Sequence, residues 1–294
     1  MTATKLTAGY SAAVALVVLA TIGWSLAGVF VRLLPGLNGW QINCWRGLSM
    51  AIFVLAYLAV ANGKRTLTTF RSMPAAAMLS GAGFFALGST LYVTSLTLTS
   101  TANVSAIGAV APVFVIVLSG WITKEHPGKA AWVAAFLALA GVSIIFRDGL
   151  RSGDWLGSLV AIAVALCFAG QTLTLRRFRD IEMMPAILVG GLAVFLIAGV
   201  AGGFEVPWRE IGILAVMGPV QLAIPLIMFA RAARQVPAAT LSLIALLDVV
   251  FNPTWSWIGV GEIPAVASLA GGLVIVAAVS LSILAGSRAS AQEG

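Results

Sequence analysis

The sequence predicts an all-α membrane protein with ten transmembrane helices, arranged as two inverted five-helix repeats around a central cavity. Composition, the spacing of apolar segments and an internal repeat support this prediction. Of the 294 residues, 60% are hydrophobic and only 9% are charged, and the mean hydropathy is +1.04. A soluble domain carries about 25% charged residues. Because a membrane-spanning helix needs about 20 apolar residues, the chain has room for about ten crossings and for no soluble domain beside them.

Ten apolar segments follow one another along the chain, and each has about the length of a membrane-spanning helix. They span 10–34, 39–61, 74–97, 101–122, 130–146, 155–175, 184–203, 210–230, 237–258 and 264–285. The first segment carries no cleavage site of the small-residue type. It is therefore predicted to be a transmembrane helix and not a removable signal.

Short polar breaks justify the end of each of these segments. Proline cannot continue a helix, glycine tolerates tight turns, and charged side chains favour the interface, so all three mark the places where the chain leaves the bilayer. In chain order the main breaks are Pro35-Gly36, Asn62 to Arg65, Lys124 to Pro127, Arg147 to Gly149, Arg176 to Asp180, Val206-Pro207 and Gly261 to Pro264.

An internal repeat appears when residues 137 positions apart are compared. The matches are Ser105 with Ser242, Ile107 with Ile244, Phe114 with Phe251, Glu125 with Glu262, Pro127 with Pro264, Ala140 with Ala277, Val142 with Val279, and Ser143 with Ser280. This predicts a first repeat over 1–150 and a second over 151–294. Because five crossings per repeat is an odd number, the second repeat should be inverted, which is typical of transporters that alternate access around a midplane site.

The basic residues predict the orientation of the chain in the membrane. With the N-terminus in the cytoplasm, most of the 17 Lys and Arg residues fall in cytoplasmic loops, as the positive-inside rule requires. We therefore predict a multi-pass protein of the bacterial inner membrane with both termini cytoplasmic. The formal charge of +7 indicates anionic lipid headgroups as partners, not nucleic acid. Besides lipids, the expected partner is a small-molecule substrate, and a monomer is compatible with this pattern.

Enzyme classes are disfavoured by what the apolar segments lack. Cys44 and Cys167 are isolated, so neither a disulfide nor a metal site is expected, and the only histidine, His126, belongs to a loop. No paired carboxylates or Ser/His set lies inside a segment, and no phosphate-binding loop motif occurs. No catalytic residue and no cofactor are therefore predicted, and an intramembrane enzyme is the weaker alternative. A channel remains a further alternative, because polar cavities also line pores.

Several motifs, taken in their order and spacing, resemble a known family over nearly the whole chain. They are Gly23-Trp24-Ser25 with Arg32, Arg46, Ala111-Pro112-Val113-Phe114 through Glu125, and Ala140-Gly141-Val142. This set is similar to the EamA-type exporters of the drug/metabolite transporter superfamily, and within it to the bacterial aromatic amino acid exporters. The resemblance implies ten helices, a cavity formed by helices 1, 3, 4, 6, 8 and 9, export of amino acids, and no enzymatic cofactor.

One stretch departs from that family's pattern. The stretch Asp248-Val249-Val250-Phe251 stands where the family has an acidic residue followed directly by proline, and the proline comes later, as Pro253. Asp248 is also the only carboxylate well inside a predicted helix. Since a charge at mid-membrane costs about 2.5–3.5 kcal/mol on insertion scales, we predict that Asp248 binds a substrate ammonium or a proton. A structural, hydrogen-bonded acid is the alternative.

Other polar and aromatic side chains inside the apolar segments complete the candidate substrate site. A polar group in hydrocarbon must find a partner in another helix or in a wet cavity. The candidates are Trp24, Ser25, Tyr92, Asn103, Gln171 and Gln221, together with Asp248. Interhelical hydrogen bonding is the alternative for the polar groups, and core packing is the alternative for the two aromatic residues.

Helix-breaking residues inside the segments are candidate gating hinges, because a proline frees a carbonyl and permits bending. They are Gly88, Pro112, Pro225 and Pro253. Arg46 and Arg32 are left out of the site. The long side chain of Arg46 is expected to reach the headgroups or to form a structural pair, and Arg32 is expected to lie near the interface.

Overall fold

The computed structural model describes residues 3–98, 104, 107–146, 155–260 and 266–292, and every regular element in these ranges is helical. The helices are α1 (Ala3–Ser25), α2 (Ala27–Arg32), α3 (Gly39–Asn62), α4 (Thr66–Ser72), α5 (Ala75–Leu98), α6 (Ala111–Ile122), α7 (Lys129–Phe146), α8 (Trp155–Arg177), α9 (Met184–Gly202), α10 (Trp208–Met217), α11 (Ile224–Ala232), α12 (Ala238–Ala245), α13 (Asp248–Val260) and α14 (Val266–Gln292). A π-helical segment, Gly218–Ala223, joins α10 to α11.

These helices build the ten crossings that the sequence predicts. Within the described residues, six helical stretches are long and apolar enough to span a membrane, and four shorter apolar helices accompany them. Helices α1 and α2 form crossing 1, α10 to α11 form crossing 8, and α12 with α13 forms crossing 9. The all-α, ten-helix membrane fold is thereby confirmed. The predicted boundary between residues 150 and 151 lies outside the described residues and stays a prediction.

The packing of the crossings follows a pseudo-twofold relation between the two repeats. Crossing 2 packs on crossing 7, and crossing 5 packs on crossing 10. Crossing 3 packs on 6 while 8 packs on 1, and crossing 3 packs on 7 while 8 packs on 2. When the two repeats are exchanged, the 2–7 and 5–10 pairings each map onto themselves. The 3–6 pairing maps onto the 8–1 pairing, and the 3–7 pairing maps onto the 8–2 pairing. This is the pairing expected of two inverted five-helix units.

Glycines allow the closest approach at the two self-paired interfaces. A Cβ atom on Gly141 of α7 would lie 2.7 Å from the carbonyl oxygen of Gly271 in α14. A Cβ atom on Gly47 of α3 would lie 3.0 Å from the carbonyl oxygen of Gly191 in α9. Backbones in such contact gain dispersion energy where lipid removes most of the hydrophobic driving force for helix association.

Three crossings are interrupted near their middles. Crossing 1 breaks at Leu26, between α1 and α2, and crossing 9 breaks at Leu246 and Leu247, between α12 and α13. In crossing 4 the turn at Ala109 and Val110 precedes α6, at the register of the crossing 9 break. Interrupted helices expose backbone polar groups at mid-depth, where transporters build their binding sites.

Hydrogen bonds between distant residues define the two ends of the bundle. At the end where both termini lie, here called the N-terminal end, Tyr10 donates to the carbonyl of Ile283 and Arg231 donates to Tyr57. At the opposite end, the Trp45 indole donates to the carbonyl of Phe204. A crevice at the N-terminal end is lined by residues that include Tyr57, Arg179, Glu182, Arg231 and Arg234, and it contains none of the predicted site residues.

An ion-pair network ties the two repeats together at the N-terminal end. The Glu125 carboxylate, which follows α6, accepts from Arg176 Nε at 2.5 Å and from the backbone N–H of Ala238 at 3.0 Å, so it caps α12. Arg176 also donates to the carbonyl of Ala233 at 2.7 Å. One carboxylate from the first repeat therefore contacts α8 and the start of α12 in the second repeat, and Arg176 extends the network to the end of α11.

Glu125→Ala is expected to lower the free energy of unfolding by about 1–3 kcal/mol, because it leaves Arg176 and the α12 N-terminus without their acceptor. Glu125→Gln keeps one acceptor oxygen and should lose less. The measurement is the unfolding transition of the purified protein in detergent. Asp180→Asn, at an exposed position, is the control and should change nothing. Equal stability of the alanine variant and the wild type would contradict this assignment.

Candidate functional site

A hydrogen-bonded network around Arg46 lies inside the bundle. The guanidinium is buried and donates to the Asn43 side-chain oxygen at 2.6 Å, to the Gln221 side-chain oxygen at 3.1 Å and to the Ser89 hydroxyl at 3.4 Å. Ser89 in turn donates to Asn43 at 2.9 Å. These partners lie on crossings 2, 3 and 8. Of the two expectations for Arg46, reach to the headgroups or a structural pair, the structure shows the second, because polar acceptors inside the protein hold the guanidinium there.

The π-helical segment brings Gln221 to Arg46. Gly218, at the start of this segment, lies directly on α3, since a Cβ atom there would be 2.5 Å from the Met50 nitrogen and 2.7 Å from the Arg46 carbonyl oxygen. The Gln221 amide also donates to the carbonyl of Trp24 at 3.4 Å. Single π-helical turns are frequent at functional sites, because they redirect a side chain within a helix.

Ser25 lies at the break of crossing 1 and bonds to the second repeat. Its hydroxyl is fully buried, accepts from the Trp255 indole at 2.7 Å and donates to the carbonyl of Ile22 at 2.7 Å. Trp255 belongs to α13, so this bond connects the interrupted crossings 1 and 9. The structure thus places Ser25 in an interhelical hydrogen bond, which is the alternative considered for it, and its contact with substrate stays a prediction.

Asp248 is the first residue of α13, immediately after the break of crossing 9. A carboxylate at a helix N-terminus is stabilised by the helix dipole. The Tyr92 hydroxyl interacts electrostatically with both Asp248 and Arg46, and the Tyr92 side chain is 37% exposed. Among the described residues, Asp248 is the only carboxylate away from the two ends of the bundle. Asp248 and Arg46 thus both lie near the Tyr92 hydroxyl, and substrate binding by Tyr92 and Asp248 stays a prediction.

Trp24 packs in an aromatic cluster. Its ring centroid lies 5.1 Å from that of Phe229 and 6.2 Å from that of Phe168, the latter pair edge to face. Phe229 is buried, so one side of the indole belongs to the protein core. The Trp24 carbonyl still belongs to the Arg46 network through Gln221. Substrate stacking on Trp24 stays a prediction.

Gln171 of α8 is buried, and neither its amide nitrogen nor its amide oxygen finds a hydrogen-bond partner among the described residues. An unsatisfied buried polar group costs about 1–3 kcal/mol. Native proteins keep such groups chiefly where a ligand, a water molecule or a functional strain accounts for them. The unpaired amide of Gln171 is thus a candidate contact for a ligand or a water molecule, and its role in substrate binding stays a prediction.

We expect Gln171→Leu to raise the free energy of unfolding by about 1–3 kcal/mol, because it removes an unsatisfied amide at nearly constant volume. The same change should reduce solute transport if the amide contacts substrate. Gln221→Leu is the matched comparison and should lower stability, since it breaks the bonds to Arg46 and Trp24. Thermal unfolding in detergent and uptake into proteoliposomes measure the two effects. A destabilised Gln171→Leu protein would show that the amide has a structural partner.

The four predicted hinges occupy different local structures. Gly88 lies in the unbroken α5, where a Cβ atom would be 3.0 Å from the Cys167 Cβ, and Pro112 lies in the first turn of α6. Pro225 is in the first turn of α11, directly after the π-helical segment, and Pro253 lies within α13. The crossing 9 interruption comes before Asp248 and not at Pro253. Whether these positions gate transport stays a prediction.

Asn103, another of the predicted substrate-site residues, lies outside the described residues. Arg46, Asn43 and Ser89 were missed as site residues, although an arginine and an asparagine three positions apart inside one apolar segment form a same-face pair on a helix. The three-residue spacing of Asn43 and Arg46 was therefore the signal in the sequence that could have identified this pair.

Known proteins resemble this chain both in sequence and in fold. The model of the EamA-like transporter family matches residues 11–147 and again 151–284. The chain is 26% identical over 187 residues to the pseudopaline exporter CntI of Pseudomonas aeruginosa, covering 62% of this chain and 66% of CntI, just under two thirds of that protein. It is 28% identical over 276 residues to the uncharacterized transporter YdfC of Bacillus subtilis, covering 88% of this chain and 87% of YdfC.

A solved structure described only as a crystal structure of a protein superposes with a TM-score of 0.81 at 16% identity. The superposition covers 95% of this chain and 98% of that chain. At this identity the likeness shows the fold alone, which agrees with the pairing of crossings given above.

Proposed function

The chain belongs to the EamA-like transporter family and is a membrane transporter, not an enzyme, and on this premise we propose that it is a secondary exporter of small amphipathic metabolites, with amino acids as its substrates. It would work by alternating access between its two repeats. A relative, CntI, is named as an exporter of pseudopaline, which supports export of a small organic solute in this proposal.

One observation carries the proposal: polar groups of both repeats meet in the interior of the bundle, beside the helix interruptions. Arg46 of the first repeat bonds to Gln221 of the second, and Ser25 of the first accepts from Trp255 of the second. These contacts cross the interface along which alternating access would move one repeat against the other. A solute bound among them would therefore experience that motion directly.

The packing supports assignment of this structure to a state closed at the N-terminal end. There Glu125 and Arg176 tie the repeats together, and a buried hydrophobic cluster that includes Val17, Leu241 and Leu243 fills the space between crossings 1 and 9. Tyr92, toward the opposite end, is 37% exposed and interacts electrostatically with Arg46 and Asp248. Opening at the N-terminal end requires that the Glu125 contacts separate.

Orientation and location are part of the same proposal. Basic residues gather at the N-terminal end, among them Arg176, Arg177, Arg231 and Arg234. By the positive-inside rule this end faces the cytoplasm of a bacterial inner membrane. A structure closed there would release its solute outward, as an exporter does.

Counterflow in proteoliposomes tests the proposal against a channel. Vesicles loaded with an unlabelled amino acid should transiently accumulate the same labelled amino acid above its external concentration, because a carrier exchanges one solute for the other. A pore equilibrates the label without such overshoot. A panel of amino acids, run with and without a pH gradient, identifies the substrate and its coupling to protons. Absence of overshoot for every amino acid in the panel would overturn the proposed function.

A further inference from the structure

The Arg46 guanidinium is a buried charge surrounded by neutral partners. Its hydrogen bonds go to two amide oxygens and one hydroxyl, on Asn43, Gln221 and Ser89. Among the described residues, no carboxylate forms an ion pair with it, and its hydrogen-bond partners are all neutral. A buried ion without a counter-charge costs several kcal/mol even when it is hydrogen-bonded.

The donor capacity of Arg46 is also incompletely used. The Nε atom is buried and has no acceptor in the part of the chain that the structure describes, although both terminal nitrogens are engaged. A guanidinium presents its donors as a planar fork that matches the two oxygens of a carboxylate. The three neutral partners come from crossings 2, 3 and 8, so they hold this fork at a set position between the repeats.

We propose that Arg46 is the anion-binding group of the transport site and takes the carboxylate of a zwitterionic substrate. The arriving carboxylate supplies the missing counter-charge and an acceptor for the unused donor. The neutral partners position the guanidinium before the substrate binds. This inference rests on the proposed function and assigns it a substrate class: solutes with a carboxylate and an ammonium group.

Asp248 provides the complementary half of such a site. Asp248 begins α13, directly after the break of crossing 9, and both it and Arg46 lie near enough to the Tyr92 hydroxyl to interact with it electrostatically. An amino acid bound there would direct its carboxylate toward Arg46 and its ammonium toward Asp248. Because a zwitterion carries no net charge, its binding pairs each charged group of the site without changing the net charge buried there, which limits the cost of desolvating the charges.

Three probes that share one aromatic ring separate the two halves of the site. They are L-phenylalanine, phenethylamine, which lacks the carboxylate, and 3-phenylpropionate, which lacks the ammonium group. Their binding is read from the rise in melting temperature of the purified full-length protein in detergent, without any transport step. Arg46→Lys keeps the charge but loses the planar fork, and Arg32→Lys, on an exposed arginine of α2, is the matched control.

For Arg46→Lys we expect the half-saturating concentration of L-phenylalanine and of 3-phenylpropionate to rise about tenfold or more, as loss of a bidentate contact predicts. Phenethylamine binding should stay within about twofold of wild type by the same reasoning. Asp248→Asn should do the reverse, weakening phenethylamine and sparing 3-phenylpropionate. Arg32→Lys should alter none of the three.

An equal loss for all three probes in Arg46→Lys, or no loss for any, would show that Arg46 is structural and overturn the proposal. If a variant fails to fold, a measurement on the wild type alone still tests the proposal. In that measurement 3-phenylpropionate should inhibit phenylalanine counterflow, and failure to compete overturns the anion subsite. Each of these results would refute the anion site without contradicting the proposed exporter function. Absence of counterflow with retained, Arg46-dependent binding of 3-phenylpropionate would refute the exporter and keep the anion site.

Discussion

Asp248→Asn is expected to reduce transport about 30-fold at low substrate concentration, because loss of one partner from a desolvated charge pair costs about 2 kcal/mol or more. The substitution keeps the size of the side chain and its position at the start of α13. It removes only the negative charge, which interacts electrostatically with the Tyr92 hydroxyl. The measurement is the initial rate of counterflow in proteoliposomes containing equal amounts of each protein.

Two controls make the Asp248 result specific. Asp180→Asn removes a carboxylate at an exposed position at the end of α8 and should transport as wild type does. The melting temperature of Asp248→Asn should stay close to that of the wild type, which excludes a folding defect. If the variant transports at the wild-type rate with an unchanged pH profile, the carboxylate is structural and the assigned site is wrong.

Gly218→Ala is expected to destabilise the protein by about 3 kcal/mol or more, because the added methyl group meets backbone atoms that cannot move aside. The new Cβ atom would lie 2.5 Å from the Met50 nitrogen and 2.7 Å from the Arg46 carbonyl oxygen. Relief requires the π-helical segment to separate from α3. That separation would break the Ser49 hydrogen bond to Leu214 and withdraw Gln221 from Arg46.

Gly212→Ala is the matched control for this change. Gly212 lies in α10, in the same crossing, but a Cβ atom there meets nothing within 4 Å. Alanine should therefore be neutral or stabilise the helix by up to about 1 kcal/mol. Unfolding transitions and the yield of monodisperse protein after purification measure both variants. Equal stability of the two variants would mean that the contact between α3 and the π-helical segment is not as tight as the structure has it.

The spans and the repeat could be predicted from the sequence because lipid imposes a local rule. Every backbone N–H and C=O group must find a hydrogen-bond partner within its own segment. Each crossing therefore appears in the sequence as a continuous apolar stretch of helix length. The offset of 137 positions reappears in the structure, where α6 begins at Ala111 and α13 at Asp248. The length of each helix, its direction and its place in the repeat depend mainly on residues that are close together in the sequence.

The site was only partly predictable, and Arg46 shows why. Counted along the segment, it lies close enough to the interface to reach headgroups, but its side chain bonds to Asn43 on its own helix and to Ser89 and Gln221 on two other crossings. Gln171 illustrates the opposite case. Its depth suggested a substrate contact, but only the packing around it shows that its amide lacks a partner among the described residues. The interruption of crossing 9 likewise lies at Leu246 and Leu247, where no proline marks it.

The amino-acid sequence by itself determined that this protein lies in a membrane, how many times it crosses, and that its two halves are related and inverted. Only the tertiary structure decided which polar groups meet. Arg46 and Gln221 are 175 positions apart, and Ser25 and Trp255 are 230 positions apart. Composition and periodicity report on interactions within a helix turn or with the surrounding lipid, whereas these contacts depend on how distant helices pack.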